Sequence, residues 1–179
     1  DEMEVYNPCD NNLSAAIVNG HPAIAYLAEY ARDFHYVRAL DANGDSWGSP
    51  INLGNWINPS LLVVNGKPAL CFGGECYVRA PDANGETWGT PVYVNPEGGW
   101  WAQMFLVNGC PAITCDVHVP ELDTHVLKYV RALDANGNTW GEPLAVADDI
   151  GVTSPCPLVV HGHPAIAYEW RHGDYKHLK

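Results

Sequence analysis

One phrase occurs four times along the chain, and no other feature limits the fold so strongly. It reads Ile17-Val-Asn-Gly-His-Pro-Ala-Ile-Ala-Tyr26, Val63-Val-Asn-Gly-Lys-Pro-Ala-Leu-Cys-Phe72, Leu106-Val-Asn-Gly-Cys-Pro-Ala-Ile-Thr-Cys115 and Val159-Val-His-Gly-His-Pro-Ala-Ile-Ala-Tyr168. A second phrase occurs three times, from Tyr36-Val-Arg-Ala to Trp47-Gly-Ser-Pro50, from Tyr77-Val-Arg-Ala to Trp88-Gly-Thr-Pro91, and from Tyr129-Val-Arg-Ala to Trp140-Gly-Glu-Pro143. The repeated glycines Gly20, Gly66, Gly109 and Gly162 stand 46, 43 and 53 residues apart. Propeller blades and helical arrays both have periods in this range.

Helices do not fit. Asn-Gly and X-Pro pairs cut each unit about every ten residues, so no window is long enough for an amphipathic helix. Short strands do fit. Leu62-Val-Val64 runs into Asn65-Gly66, a pair that tolerates the positive φ of a tight hairpin turn, and Ala69-Leu-Cys-Phe72 returns. Tyr77-Val-Arg-Ala80 makes a third strand, Asp82-Ala-Asn-Gly85 a second turn and Pro91-Val-Tyr-Val94 a fourth strand. Each unit is therefore expected to be a four-stranded antiparallel meander. The fourth copy ends after three strands, with Lys176-His-Leu-Lys179 aligning with Lys128-Tyr-Val-Arg131, while Glu4-Val-Tyr-Asn-Pro8 resembles the fourth strand Val92-Tyr-Val-Asn-Pro96. An N-terminal strand that completes the last blade closes a ring and removes its open edges. The expectation is an all-β, four-bladed β-propeller, one domain over residues 1–179, with repeats at about 13–58, 59–101, 102–153 and 154–179 plus 1–12.

These two phrases together resemble a tandem propeller-type repeat of secreted and cell-surface bacterial proteins. The resemblance spans nearly the whole chain and implies β-propeller blades and a location outside the cell. It carries no catalytic residue across. The stretch from Asp116 to Lys128 departs from the repeat and marks the loop individual to this chain.

Composition narrows the partners. With 21 acidic residues against 9 Lys and Arg, the net charge of −12 disfavours phosphate backbones and anionic membranes. The longest apolar runs, such as Pro164-Ala-Ile-Ala-Tyr168, fall far short of the roughly 20 residues that span a bilayer. Neither nucleic-acid binding nor membrane insertion is expected.

Six cysteines, an even number, fit an extracellular chain and allow fifteen pairings. Two pairs are expected: Cys71 with Cys76 across the Phe72-Gly-Gly-Glu75 hairpin, and Cys9 with Cys156 pinning the ring shut. Cys110 and Cys115 lie on one extended segment, about 16 Å apart, and cannot bond each other.

Candidate chemistry is sparse. Asp41-Ala-Asn-Gly-Asp45 resembles a calcium loop only superficially, because the glycine is misplaced for one and the other copies carry Glu86 and Asn138 at the last position; a hairpin turn explains all three. Asp116, His118, Glu121, Asp123 and His125 cluster in the third unit, and His172, Asp174 and His177 in the fourth. Neither group has a recognised ligand spacing, so no metal and no cofactor is expected. No serine or histidine stands in a nucleophile motif, so no catalytic residue is assigned.

The tryptophans divide in two. Trp47, Trp88 and Trp140 repeat in register and are expected to pack between blades. Trp56, Trp100 and Trp101 fall in the links between blades, which gather on one face of a propeller. There they form either a platform for a sugar ring or a partner's side chain, or a cap on the core. The sequence thus leads to a secreted or cell-surface non-catalytic module binding carbohydrate or protein through Trp56, Trp100 and Trp101. Two alternatives are a filament subunit self-associating by exchange of the Glu4 to Pro8 strand, and a metal-binding protein or metalloenzyme using His and Cys on one face.

Overall fold

The computed structural model describes residues 13–28, 33–147, 151–172 and 175–179. It is a four-bladed β-propeller. The strands are β1 (Leu13–Val18), β2 (His21–Leu27), β3 (Phe34–Arg38) and β4 (Ile51–Gly54) in the first blade, then β5 (Pro59–Val64), β6 (Lys67–Phe72), β7 (Cys76–Arg79) and β8 (Val92–Tyr93) in the second. The third holds β9 (Trp100–Val107), β10 (Cys110–Val119), β11 (Thr124–Arg131) and β12 (Leu144–Ala145), and the fourth β13 (Val152–Val160), β14 (His163–His172) and β15 (Tyr175–Leu178). Every blade pairs in sequence order, so each is the antiparallel meander the repeat predicts. The Glu4 to Pro8 strand expected to finish the fourth blade lies outside the described residues.

The first hairpin of each blade turns where the sequence places its glycine. Asn19, Asn65, Asn108 and His161 have φ of 46°, 47°, 49° and 50°, each followed by a glycine with φ between 74° and 80°. Two consecutive positive φ angles match the twist of the flanking strands, which is why Asn-Gly serves here. His161 holds the same conformation without the local side-chain help that favours Asn.

The first strand of each blade lies inside, since β1 meets β5, β5 meets β9 and β9 meets β13. Serines join two of these pairs: Ser14 Oγ accepts the Leu61 N–H and Ser60 Oγ accepts that of Met104, both at 2.9 Å. Blades pack face to face, so their middle strands are buried on both sides; β6 is buried from Pro68 to Phe72. One core fills the space between blades one and two around Phe34, Tyr36, Leu70 and Phe72, and another lies between blades two and three around Ala69, Tyr77, Ile113 and Val117. Leu127, Val152 and Tyr168 form a third, between blades three and four.

The second repeated phrase makes its own lock. In each copy the aspartate carboxylate collects backbone N–H groups of its turn, as Asp82 does from Asn84, Gly85, Glu86 and Thr87. The indole N–H of Trp47, Trp88 and Trp140 then donates to the glycine carbonyl three residues earlier, at 2.9 to 3.0 Å. The carboxylate is used up by the turn, which settles Asp41 to Asp45 as a hairpin element.

Two sequence expectations need correction. Asp116 to Lys128 is not a loose loop: β10 and β11 extend through it in unbroken register from Cys115↔Lys128 to Val119↔Thr124, leaving only the 3₁₀ turn Pro120–Leu122. Cys71 and Cys76 do not bond. Cys71 lies opposite Tyr77 and Cys76 opposite Phe72, so the two thiols point to opposite faces of the sheet, one into each flanking core. Cys156 is an exposed free thiol, and Cys9 lies outside the described residues. Cys110 and Cys115 both stand on β10 as free thiols.

Candidate functional site

The meander sends the Asn-Gly and Asp-Ala-Asn-Gly turns to one end of the propeller, the turn end. The β2–β3 type hairpins and the links between blades go to the other, the link end. The link end carries the side chains individual to this chain. Gly73 N–H donates to the Ile57 carbonyl and Gly151 N–H to the His125 carbonyl, both at 3.0 Å, tying each hairpin to a link.

The long β10–β11 hairpin builds the main cluster here. Strand alternation puts Asp116 and His118 of β10 on the same face as His125 and Leu127 of β11, since Asp116 pairs with Leu127 and His118 with His125. Asp116 is wholly buried, whereas the His125 side chain is 33% exposed, and Nδ1 of His125 stands 2.9 Å from Asp116 Oδ2. Neither carboxylate oxygen of Asp116, nor Nδ1 of His125, has a hydrogen-bond partner among the described residues, so the two groups face each other at close range without an aligned hydrogen bond. Burial pushes the Asp116 carboxyl above its ordinary range, and the His125 imidazole pulls it partly back. Further out, His118 Nε2 lies 3.5 Å from the exposed Asp123, and the His118 and His125 rings are 5.2 Å apart.

A buried carboxylate behind a half-exposed imidazole can hold a ring in one orientation and pass a proton through its other nitrogen. Among the described residues, no group of three or more His, Cys, Asp or Glu side chains is arranged to hold a metal.

The three link tryptophans do not form one surface. Trp56 stacks on Phe72, ring centroids 5.3 Å apart and planes at 20°, and its indole N–H donates to the Leu53 carbonyl at 3.0 Å. It belongs to the core between blades one and two. Trp101 is half-buried with a φ of 52°, at an irregularity that shifts the β9–β10 register. Trp100 is 50% exposed and lies opposite Asp116 across that pair. Of the three, Trp100 is the one brought to the Asp116 and His125 cluster.

The sequence reading missed that pairing. Asp116 and His125 fall in no known spacing; their signal was the alternation of Asp116-Val-His-Val119 and Thr124-His-Val-Leu127, which marks strands.

Fold and cluster define a β-propeller with a buried carboxylate beside a partly exposed histidine at its link end. No protein-family model and no curated protein sequence matches the chain. Solved structures do match it in fold. An endo-arabinase from Bacteroides thetaiotaomicron aligns at 15% identity and a TM-score of 0.58, over 100% of this chain and 77% of that one. An α-L-arabinanase of Cellvibrio cellulosa, complexed with arabinohexaose, aligns at 11% and 0.55, over 93% and 71%. Trypanosoma rangeli sialidase, in complex with sialic acid, aligns at 13% and 0.63, over 93% of this chain and 35% of that one. The shared feature is the propeller.

The expectation of a non-catalytic binding module is corrected on this finding. The neighbours of this architecture are named as glycoside-cleaving enzymes, and two of them hold carbohydrate. The Glu4 to Pro8 strand that the filament alternative invokes lies outside the described residues.

Proposed function

We propose that the chain is a carbohydrate-active enzyme that hydrolyses glycosidic bonds at the link end of its third blade. The observation that carries this reading is Asp116, a carboxylate removed from water that stands 2.9 Å from a partly exposed histidine. Burying a carboxylate is costly, and apolar packing alone would favour a hydrocarbon side chain there. Held beside His125 Nδ1, it fixes the ring and leaves Nε2 as the nitrogen that serves a ligand.

In this reading His125 is the catalytic residue and Asp116 a positioning residue. The imidazolium gives its proton to the leaving glycosidic oxygen as the bond to the anomeric carbon breaks. Water adds at that carbon and returns a proton to the imidazole, so the ring ends as it began. Trp100 offers an apolar indole face to the C–H face of a sugar ring. The propeller architecture shared with arabinanases and a sialidase supports carbohydrate as the substrate class. The resemblance of the repeat to those of secreted bacterial proteins supports work outside the cell.

Kinetics on arabino-oligosaccharides separate the roles. Trp100→Ala is expected to raise KM with kcat little changed, and Asp116→Asn to lower kcat and move the pH profile. Equal rates and profiles for wild type and both variants would refute the assignment.

A further inference from the structure

We infer that Trp101 is a sugar-contacting residue that, together with Trp100, forms a subsite for an uncharged sugar ring beside Asp116 and His125. This subsite rests on the reading of Asp116 and His125 given above, and it fixes the class of sugar they receive.

Three blades carry one extra residue at the link-end start of their first strand. In the second blade, Gly73 N–H donates to the Ile57 carbonyl while Pro59 pairs with Phe72, so Asn58 is the extra residue. In the third, Gln103 pairs with Thr114 and Trp100 with Asp116, so Trp101 and Ala102 oppose Cys115 alone. In the fourth, Thr153 pairs with Glu169 and Cys156 with Ala167, so Ser154 and Pro155 oppose a single residue. Asn58, Trp101 and Ser154 have φ of 51°, 52° and 54°. Each blade thus has a β-bulge whose first residue lies in the left-handed region, a place that suits glycine or asparagine. Asparagine meets that preference in the second blade. A bulky tryptophan in the third does not, and strain of this kind persists where it serves a ligand.

The bulge also re-aims the strand. Continued without it, the pairing of Gln103 with Thr114 would bring Trp101 opposite Asp116; the extra residue gives that place to Trp100.

The Trp101 ring gains no anchoring bond from its position. The indole N–H groups of Trp47, Trp56, Trp88 and Trp140 each donate to a backbone carbonyl at 2.9 to 3.0 Å. Among the described residues, neither Trp100 nor Trp101 has a hydrogen-bond partner for its indole N–H or an aromatic ring against it, and neither belongs to a hydrophobic core. Two adjacent residues therefore hold two indole rings and two unused donors.

An apolar ring with an N–H at its edge fits the C–H face and the hydroxyl groups of a sugar. Charge selects the kind of sugar. With a net charge of −12, and Lys128 of β11 already taken up by Glu97 at 3.2 Å, the chain favours an uncharged sugar over one that carries a carboxylate.

The test measures binding by calorimetry on the whole chain carrying His125→Gln, so that no substrate turns over, with arabinohexaose and a sialylated oligosaccharide as probes. Trp101→Asn, which installs the residue of the second blade, is expected to leave the melting temperature unchanged or to raise it, and to weaken arabinohexaose binding about tenfold. Trp101→Phe keeps a ring but loses the N–H, and is expected to weaken binding about threefold. The sialylated probe is expected to bind at least about tenfold more weakly than arabinohexaose. A lower melting temperature for Trp101→Asn, arabinohexaose binding unchanged by it, equal binding of the two probes, or no binding by the parent chain would overturn the proposal. Binding that depends on Trp101 in a wild-type chain that releases no reducing ends would refute the proposed catalysis and leave the subsite standing. Hydrolysis with a KM unmoved by Trp101→Asn would do the reverse.

Discussion

Tyr77 of the second blade donates its phenolic hydrogen to the backbone carbonyl of Asn136 in the third, at 2.9 Å, while its ring packs on Trp140. One side chain thus fastens two blades through both of its chemistries. Burial raises the phenol far above its ordinary pKa, so it remains a donor throughout the accessible range. Tyr77→Phe keeps the packing and leaves the carbonyl unmatched. It is expected to lower stability by about 1–2 kcal/mol in denaturant titration. An unchanged midpoint would mean that the bond contributes nothing.

The glycine in that lock is tested by comparison with a glycine that touches nothing. Gly137 and Gly66 share a φ of 74°, but a Cβ on Gly137 would enter the Tyr77 ring and one on Gly66 would meet open space. Gly66→Ala carries the left-handed strain alone, about 1–2 kcal/mol. Gly137→Ala adds overpacking and is expected to cost roughly 2–4 kcal/mol in total. Equal melting temperatures for the two variants would show that the close approach is absent in solution.

Acid sensitivity follows from the turn aspartates. The Ser46 hydroxyl and the turn N–H groups hold Asp41 down at about 2, against an ordinary value of 3.8. For Asp82 and Asp134 burial pushes upward, yet the backbone N–H groups of Glu86 and Thr87, and of Asn136 and Thr139, outweigh it and bring both to about 2. The unfolded chain takes up these protons at higher pH than the folded one. Their contribution is therefore complete above an ordinary carboxylate pKa and is lost as pH falls from about 4 toward 2. Asp82→Asn with Asp134→Asn is expected to flatten the fall of Tm across that window. A double variant as acid-sensitive as wild type would remove these carboxylates from the explanation.

Thiol labelling distinguishes the faces of the second blade. Cys71, Cys76 and Cys115 are buried, and burial pushes Cys76 up to about 11, Cys115 up to about 12 and Cys71 well above its usual value. A reagent that attacks thiolates is expected to modify the exposed Cys156 first and these three only as the chain unfolds. Mass spectrometry of the native protein after brief alkylation reads this directly. Early loss of Cys71 or Cys76 would contradict the packing.

The architecture was legible because local chemistry encodes it. Asn-Gly at residues 65 and 66 can turn a hairpin and little else, and its recurrence fixes blade length. What escaped the sequence depends on faces and on neighbours. Phe72 and Cys76 share a face because the hairpin pairs them, which turns Cys71 the other way; the expected disulfide assumed a register one residue off. Trp56 sits in a link like Trp100, yet Phe72 lies beneath it and absorbs its ring, a contact that forms only once the first two blades meet. Asp116 and His125 came together for the same reason, since hairpin register and not spacing makes them partners.

Cleavage of a soluble glycan shows whether His125 acts as a catalytic acid. Purified wild-type chain is incubated with arabino-oligosaccharides and sialylated oligosaccharides, and new reducing ends are counted beside a His125→Gln variant whose fold is confirmed by circular dichroism. The account predicts release of reducing ends by wild type and a rate lower by about 10²–10⁴ in the variant, the range for loss of a positioned acid or base. No release from any glycan by wild type, or equal release by a folded His125→Gln protein, would contradict it.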